Sequence, residues 1–82
     1  MKQTNKKEMP LLVFNVGNRI REIINDKNLK QRNVAHDAGL DVENLRKYIK
    51  GKQEMKISTM MRIVKALNIE VSELFEQKNP KL

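Results

Sequence analysis

Along the middle of the chain, apolar residues recur at helical rather than strand spacing. Val16, Ile20, Ile23 and Ile24 fall at i, i+4, i+7 and i+8, the stripe of an amphipathic helix, and predict a first helix over about 16–26 with Asn15 as its N-cap. The preceding run, Leu11, Leu12, Val13 and Phe14, either extends that helix from Pro10, a residue suited to a first helical position, or forms an apolar arm. In both cases something must bury it. A second helix opens at Gln31, places Val34, Ala35 and Ala38 on one face, and stops at Gly39, where a positive φ ends a helix without strain. Asp41 then offers a carboxylate to the free N–H groups of a third helix that runs to about Lys50 and is closed by Gly51. Beyond a short loop, Ser58 is the expected cap of a fourth helix carrying Met60, Met61, Ile63, Val64 and Leu67 and ending at Asn68. A last short helix over 71–76 presents Leu74 and Phe75. No stretch alternates as strands do, so the expected class is all-α.

Length limits what this arrangement can do. The 82 residues make one domain, near the lower size at which a core holds without staples, which leaves little room for a large substrate cavity or a separate ligand-sensing unit. The expected organisation is a flexible basic N-terminal segment with a short apolar stretch (1–14), a helical domain (15–76) and a C-terminal tail (77–82). The absence of cysteine excludes a disulfide framework and thiolate metal sites and fits a reducing cytoplasm. The longest apolar run, from Pro10 to Phe14, is far short of a membrane span, and the expectation is a soluble, cytoplasmic protein with no membrane partner.

Seventeen Lys and Arg against ten Asp and Glu give a net charge of +7, which favours a polyanionic partner, although a solubilising surface accounts for it equally well. The third helix changes that balance. At roughly 100° per residue, Glu43, Arg46, Lys47 and Lys50 share one side and Leu45, Tyr48 and Ile49 the other, with Val42 and Asn44 on the boundary. A charged stripe is by default a solvated face. Here it follows a short helix and a glycine turn, which together form a helix-turn-helix unit, whose second helix enters the major groove N-terminus first.

The segment from "VGNRIREI" through "LKQRNVAHDAGLDVENLRKYIKGK" to "ISTMMRIVKALNIEVSELF" resembles the Cro/CI-type (Xre-like) helix-turn-helix domain over roughly 16–75. The matching signature is Ile20, Gln31, Ala35, Gly39, Leu45, Gly51 and the closing "IVKALNIEVSELF", specific in its order and spacing more than in any single piece. The resemblance implies a five-helix, lambda-repressor-like DNA-binding domain acting as a dimer on a two-fold operator. It implies that Gln31, opening the second helix, binds a phosphate, its amide also accepting from a third-helix side chain. Arg32 beside it joins the DNA-facing set. Val42, Glu43, Asn44 and Lys47 fall at base-facing positions, Arg46 and Lys50 at the backbone or groove edge, and Lys52 and Lys56 in a loop that follows the phosphates.

The chemistry of each residue leaves rivals open. Lys47 can donate to guanine O6 and N7 and Asn44 can pair with adenine, while Val42 either packs on a thymine methyl or flanks the core. Glu43 is repelled by phosphate, yet it can accept from cytosine N4 or pair with Arg46 or Lys47 and orient them. The sequence departs from the family at Ile24 and Ile49, where many members carry an Arg and a Glu in a buried ion pair. Replacing both partners with apolar residues is often neutral or stabilising, so the two isoleucines are expected to be buried against each other.

Catalysis has little to stand on. His36 and Asp37 adjoin on an exposed helix face, no second His or Cys builds a triad or metal site, and there is no Gly-rich phosphate loop. No catalytic residue, metal or cofactor is expected. The expected function is a sequence-specific double-stranded-DNA-binding regulator, a homodimeric repressor associated with the nucleoid. Its rivals share the fold: an antitoxin that autoregulates its operon and binds a small toxin, or a protein-interaction adaptor. RNA binding is disfavoured by the lack of Trp and the presence of only one Tyr and two Phe as stacking platforms.

Overall fold

The computed structural model of the chain describes residues 11–76; the basic segment up to Pro10 and the tail over 77–82, both expected above to be loose, lie outside them. Four α-helices follow in order, α1 (Leu11–Asp26), α2 (Gln31–Asp37), α3 (Val42–Ile49) and α4 (Ile57–Leu67), and a 3-10 turn (Val71–Phe75) stands where a fifth helix was expected. No strand occurs among the described residues, and none of their helices is long and apolar enough to cross a membrane.

The interior is one apolar cluster drawn from every element. Ile20, Ile24, Leu45, Ile63, Leu67 and Leu74 are its most deeply buried side chains, with Val34, Ala35 and Ala38 entering from α2. Burying a Leu or Ile side chain stabilises by roughly 1.5–3 kcal/mol, so these positions dominate the folding free energy of so small a domain. Ile24 and Ile49 are both buried within this cluster, at 1% and 7% exposure, as the register of the resemblance requires.

Helix ends at the C-terminal side follow the expected chemistry. Gly39 and Gly51 adopt φ of 71° and 72° after α2 and α3, and Asn68 closes α4 at φ 59°. Asn28, also left-handed at φ 58°, ends the turn after α1. Helix starts differ from expectation. Asn15 lies inside α1, because the helix begins at Leu11; the apolar run is therefore an extension and not an arm. Its burial is incomplete: Val13 is half-buried, whereas Leu11, Leu12 and Phe14 are 72%, 58% and 52% exposed. Ser58 is likewise inside α4, whose N-cap position is Lys56. Asp41 does occupy the N-cap position of α3 in extended conformation, but its carboxylate makes no capping hydrogen bond. In α4 the buried stripe includes Thr59 and leaves Met61 46% exposed, so the helix is rotated relative to the expected apolar set.

Two features fix α1 in place. Arg19 donates from Nε to the Glu73 carbonyl oxygen at 2.8 Å and lies 3.4 Å from Glu22 and 3.7 Å from Glu76, tying α1 to the 3-10 turn. Gly17 lies where α1 crosses α3; a Cβ built there would stand 2.1 Å from the Tyr48 carbonyl oxygen and 2.8 Å from that of Ile49. Only the missing side chain lets the two helices meet this closely.

Candidate DNA-binding face

The α3 side chains divide as the helical wheel requires. Leu45, Tyr48 and Ile49 are buried, Glu43, Arg46, Lys47 and Lys50 are exposed, and Val42 and Asn44 are half-buried between them. Val42, half-buried, packs against the core and keeps part of its side chain at the surface. The buried side gives α3 a fixed rotation about its axis, which decides what its other side presents.

Three of the proposed site residues are joined. Arg46 donates from Nε to Gln31 Oε1 at 3.3 Å and from Nη1 to Glu43 Oε2 at 3.1 Å. The guanidinium thus bridges the start of α2 to the first turn of α3 across the Gly39 turn. Glu43 pairs with Arg46, one of the two partners considered for it. At these exposures an i, i+3 ion pair stabilises by only about 0.3–0.5 kcal/mol. Its consequence is orientation: the Arg46 fork is held over α3, and one carboxylate is kept at the helix tip. Gln31, half-buried, accepts from Arg46 and keeps its amide NH2 for another acceptor.

The other cations stay unpaired. Arg32, Lys47, Lys50, Lys52 and Lys56 are exposed and form no ion pair among the described residues. Lys52 directly follows Gly51, its backbone N–H donating to the Lys47 carbonyl oxygen at 2.9 Å, and Lys56 precedes α4. They extend the basic surface from the end of α3 into the following loop.

A second feature was not anticipated. An open groove runs between α1 and α3, its α1 wall formed by Phe14, Asn18 and Arg21. Gln31, Arg46, Ile49 and Lys50 form the opposite side. The α1 residues share i, i+4, i+7 spacing, but Phe14 falls in the apolar run and Asn18 and Arg21 read as an ordinary polar flank until α1 is known to lie beside α3.

His36 Nδ1 lies 3.7 Å from Asp37 Oδ1, beyond hydrogen-bond distance, and both side chains are exposed, at 90% and 65%. No group of three or more His, Cys, Asp or Glu among the described residues is arranged to hold a metal ion.

Residues 19–79 match the model of the Cro/C1-type HTH DNA-binding domain. The chain belongs to that family. No curated protein matches it, but solved structures do. The restriction-modification controller protein C.AhdI from Aeromonas hydrophila superposes with a TM-score of 0.77 at 29% identity, over 80% of this chain and 100% of that one. The clp gene regulator ClgR from C. glutamicum reaches 0.77 at 23% identity, over 80% and 86% of the two chains. A hypothetical transcription factor, NHTF from Neisseria, gives 0.76 at 20% identity over 94% and 92%; at these lower identities the likeness concerns the fold. The helix-turn-helix of this Cro/C1-type domain is α2, the Gly39 turn and α3, and the Gln31–Arg46–Glu43 chain of hydrogen bonds spans it.

Proposed function

We propose that this Cro/C1-type domain is a sequence-specific transcriptional regulator in the cytoplasm, a repressor that binds a two-fold operator in the nucleoid as a homodimer. One observation carries the reading: α3 is locked by its buried side so that a pre-oriented Arg46 and a free Lys47 project together from an exposed basic face, with half-buried Asn44 at its edge. On this reading Lys47 and Asn44 contact base edges, Arg46 and Lys50 the groove edge, and Gln31, Arg32, Lys52 and Lys56 the phosphates. Val42 serves mainly to seat the first turn. The likeness to C.AhdI, a restriction-modification controller protein, supports a regulatory role. Exposed Ile57, Met61, Val71 and Phe75, on elements other than α2 and α3, supply apolar surface for a second copy.

Glu43 acts by exclusion. Its carboxylate lowers affinity for every duplex through phosphate repulsion and penalises sites that offer no donor where it points. Binding of the wild type should fall with salt at a slope of about −0.9 per phosphate contact while keeping a specificity ratio of at least ~10³. Glu43→Gln is expected to tighten binding to random duplex and to lose about 1 kcal/mol of discrimination at one base pair. Unchanged discrimination across all single-base variants of the site removes Glu43 from the reading head.

An antitoxin or adaptor built on the same fold is favoured by a different observation, the exposure of Leu11 and Leu12 at 72% and 58% on the first turn of α1. Stoichiometric co-purification with a small toxic protein distinguishes an antitoxin, and binding without operator preference an adaptor.

A further inference from the structure

The α1 wall of the groove between α1 and α3 has no part in the reading so far, yet the chemistry of the groove is not that of a passive surface. Arg21, Arg46 and Lys50 line it together with two amides, and no carboxylate is among its walls. Arg21 donates from Nη2 to Asn18 Oδ1, an uncharged acceptor, so the arginine is held in place without being neutralised. Arg19, two residues earlier, shows the contrast: its guanidinium is occupied by Glu22, Glu76 and the Glu73 carbonyl. Phe14 supplies a fixed apolar floor, because it is pressed against the turn after α3, where a Cβ on Gly51 would stand 3.0 Å from its Cα and Cδ1.

A cationic rim over an apolar floor fits a deoxyribose-phosphate unit better than a small hydrated anion, which has no use for a phenyl surface. Position supplies the second argument. Gln31 and Arg46 belong both to the groove and to the hydrogen-bonded chain across the helix-turn-helix, so a duplex seated on α3 carries a sugar-phosphate strand past the groove mouth. We propose that α1 is a second DNA-contacting element: Arg21, positioned by Asn18, acts with Lys50 to hold a backbone phosphate of the strand flanking α3, with its deoxyribose on Phe14. The inference rests on the reading of α3 as the base-contacting helix. Arg21 is a positioning contact and carries no base information.

The test uses the full chain and two duplexes, the selected operator and a random sequence, over a salt series. Arg21→Ala should weaken both duplexes by the same factor, about three- to tenfold, and flatten the salt slope by about 0.9, while Arg21→Lys restores the slope. The thermal melt of each variant should match the wild type, since Arg21 is exposed. Lys47→Ala, run in parallel, should weaken operator more than random DNA. If Lys47→Ala behaves so and Arg21→Ala changes neither affinity nor slope, α1 is excluded from the interface and the α3 reading survives. A wild type that binds no duplex overturns both. Amide shifts at Asn18 and Arg21 on titration with inorganic phosphate, a free nucleoside monophosphate and duplex distinguish the sources. A response to the free nucleotide at lower concentration than to duplex assigns the groove to a small phosphorylated ligand and overturns the proposal.

Discussion

Gly17→Ala is expected to destabilise the domain by about 3 kcal/mol or more, lowering the melting temperature by upwards of about 12 °C or leaving no cooperative transition. Overpacking a core ordinarily costs about 1–3 kcal/mol, because side chains rotate out of the way. At Gly17 the obstacles are the backbone carbonyl oxygens of Tyr48 and Ile49, 2.1 and 2.8 Å from the added methyl. They have no rotamer to change, so α3 itself must move. With total stability of roughly 0.05–0.15 kcal/mol per residue, a domain of this size has little reserve. Whatever fraction of the variant does fold carries a displaced α3, so DNA affinity should fall further than the folded fraction alone explains. A melting temperature within a degree or two of wild type means that α1 and α3 do not cross at Gly17.

Ile49→Glu is expected to cost about 3–5 kcal/mol, the penalty of stranding one charge where no partner exists. Ile49 is only 7% exposed and lies in the same buried cluster as Ile24. If the two isoleucines occupy the places where relatives hold a buried ion pair, Ile24→Arg in the same chain should recover much of the loss, while Ile24→Arg alone is as damaging as Ile49→Glu. The double-mutant cycle reads this directly: a coupling energy above about 1 kcal/mol between the two sites is the expected result, and additive losses place them apart in the core. Both predictions concern the same joint. The α1–α3 crossing sets the rotation of α3 and therefore which side chains it presents.

Much of that joint was legible in the chain. The apolar spacing of α3 fixed its buried side, and the wheel position of Glu43, Arg46, Lys47 and Lys50 fixed its exposed one, because a helix rotates by a known angle per residue. Gly39, Gly51 and Asn68 were readable as stops since each takes a positive φ that other residues rarely adopt. Helix starts were less legible. Asn15 and Ser58 are good capping residues that ended up inside helices, because capping chemistry is worth about 1 kcal/mol and local packing decides whether another turn forms upstream. Thr59 turned inward and Met61 outward for a related reason: the neighbours of α4 come from elsewhere in the chain.

Within the candidate site, the Glu43–Arg46 pair could be read from i, i+3 spacing, whereas the Gln31–Arg46 bond spans 15 residues and is legible only through the family's two-helix geometry. The α1 groove was invisible for the same cause. Nothing in Phe14, Asn18 and Arg21 alone says that they face Lys50; only the fold brings them there.

The central claim is that the α3 face reads DNA sequence, and selection of bound duplexes from a random pool tests it most directly. The expected result is enrichment of a two-fold motif whose half-sites lie about one helical turn, ~34 Å, apart, with the enriched bases changing when Lys47 or Glu43 is replaced. Recovery of DNA with no sequence enrichment, at an affinity set by salt alone, would contradict it.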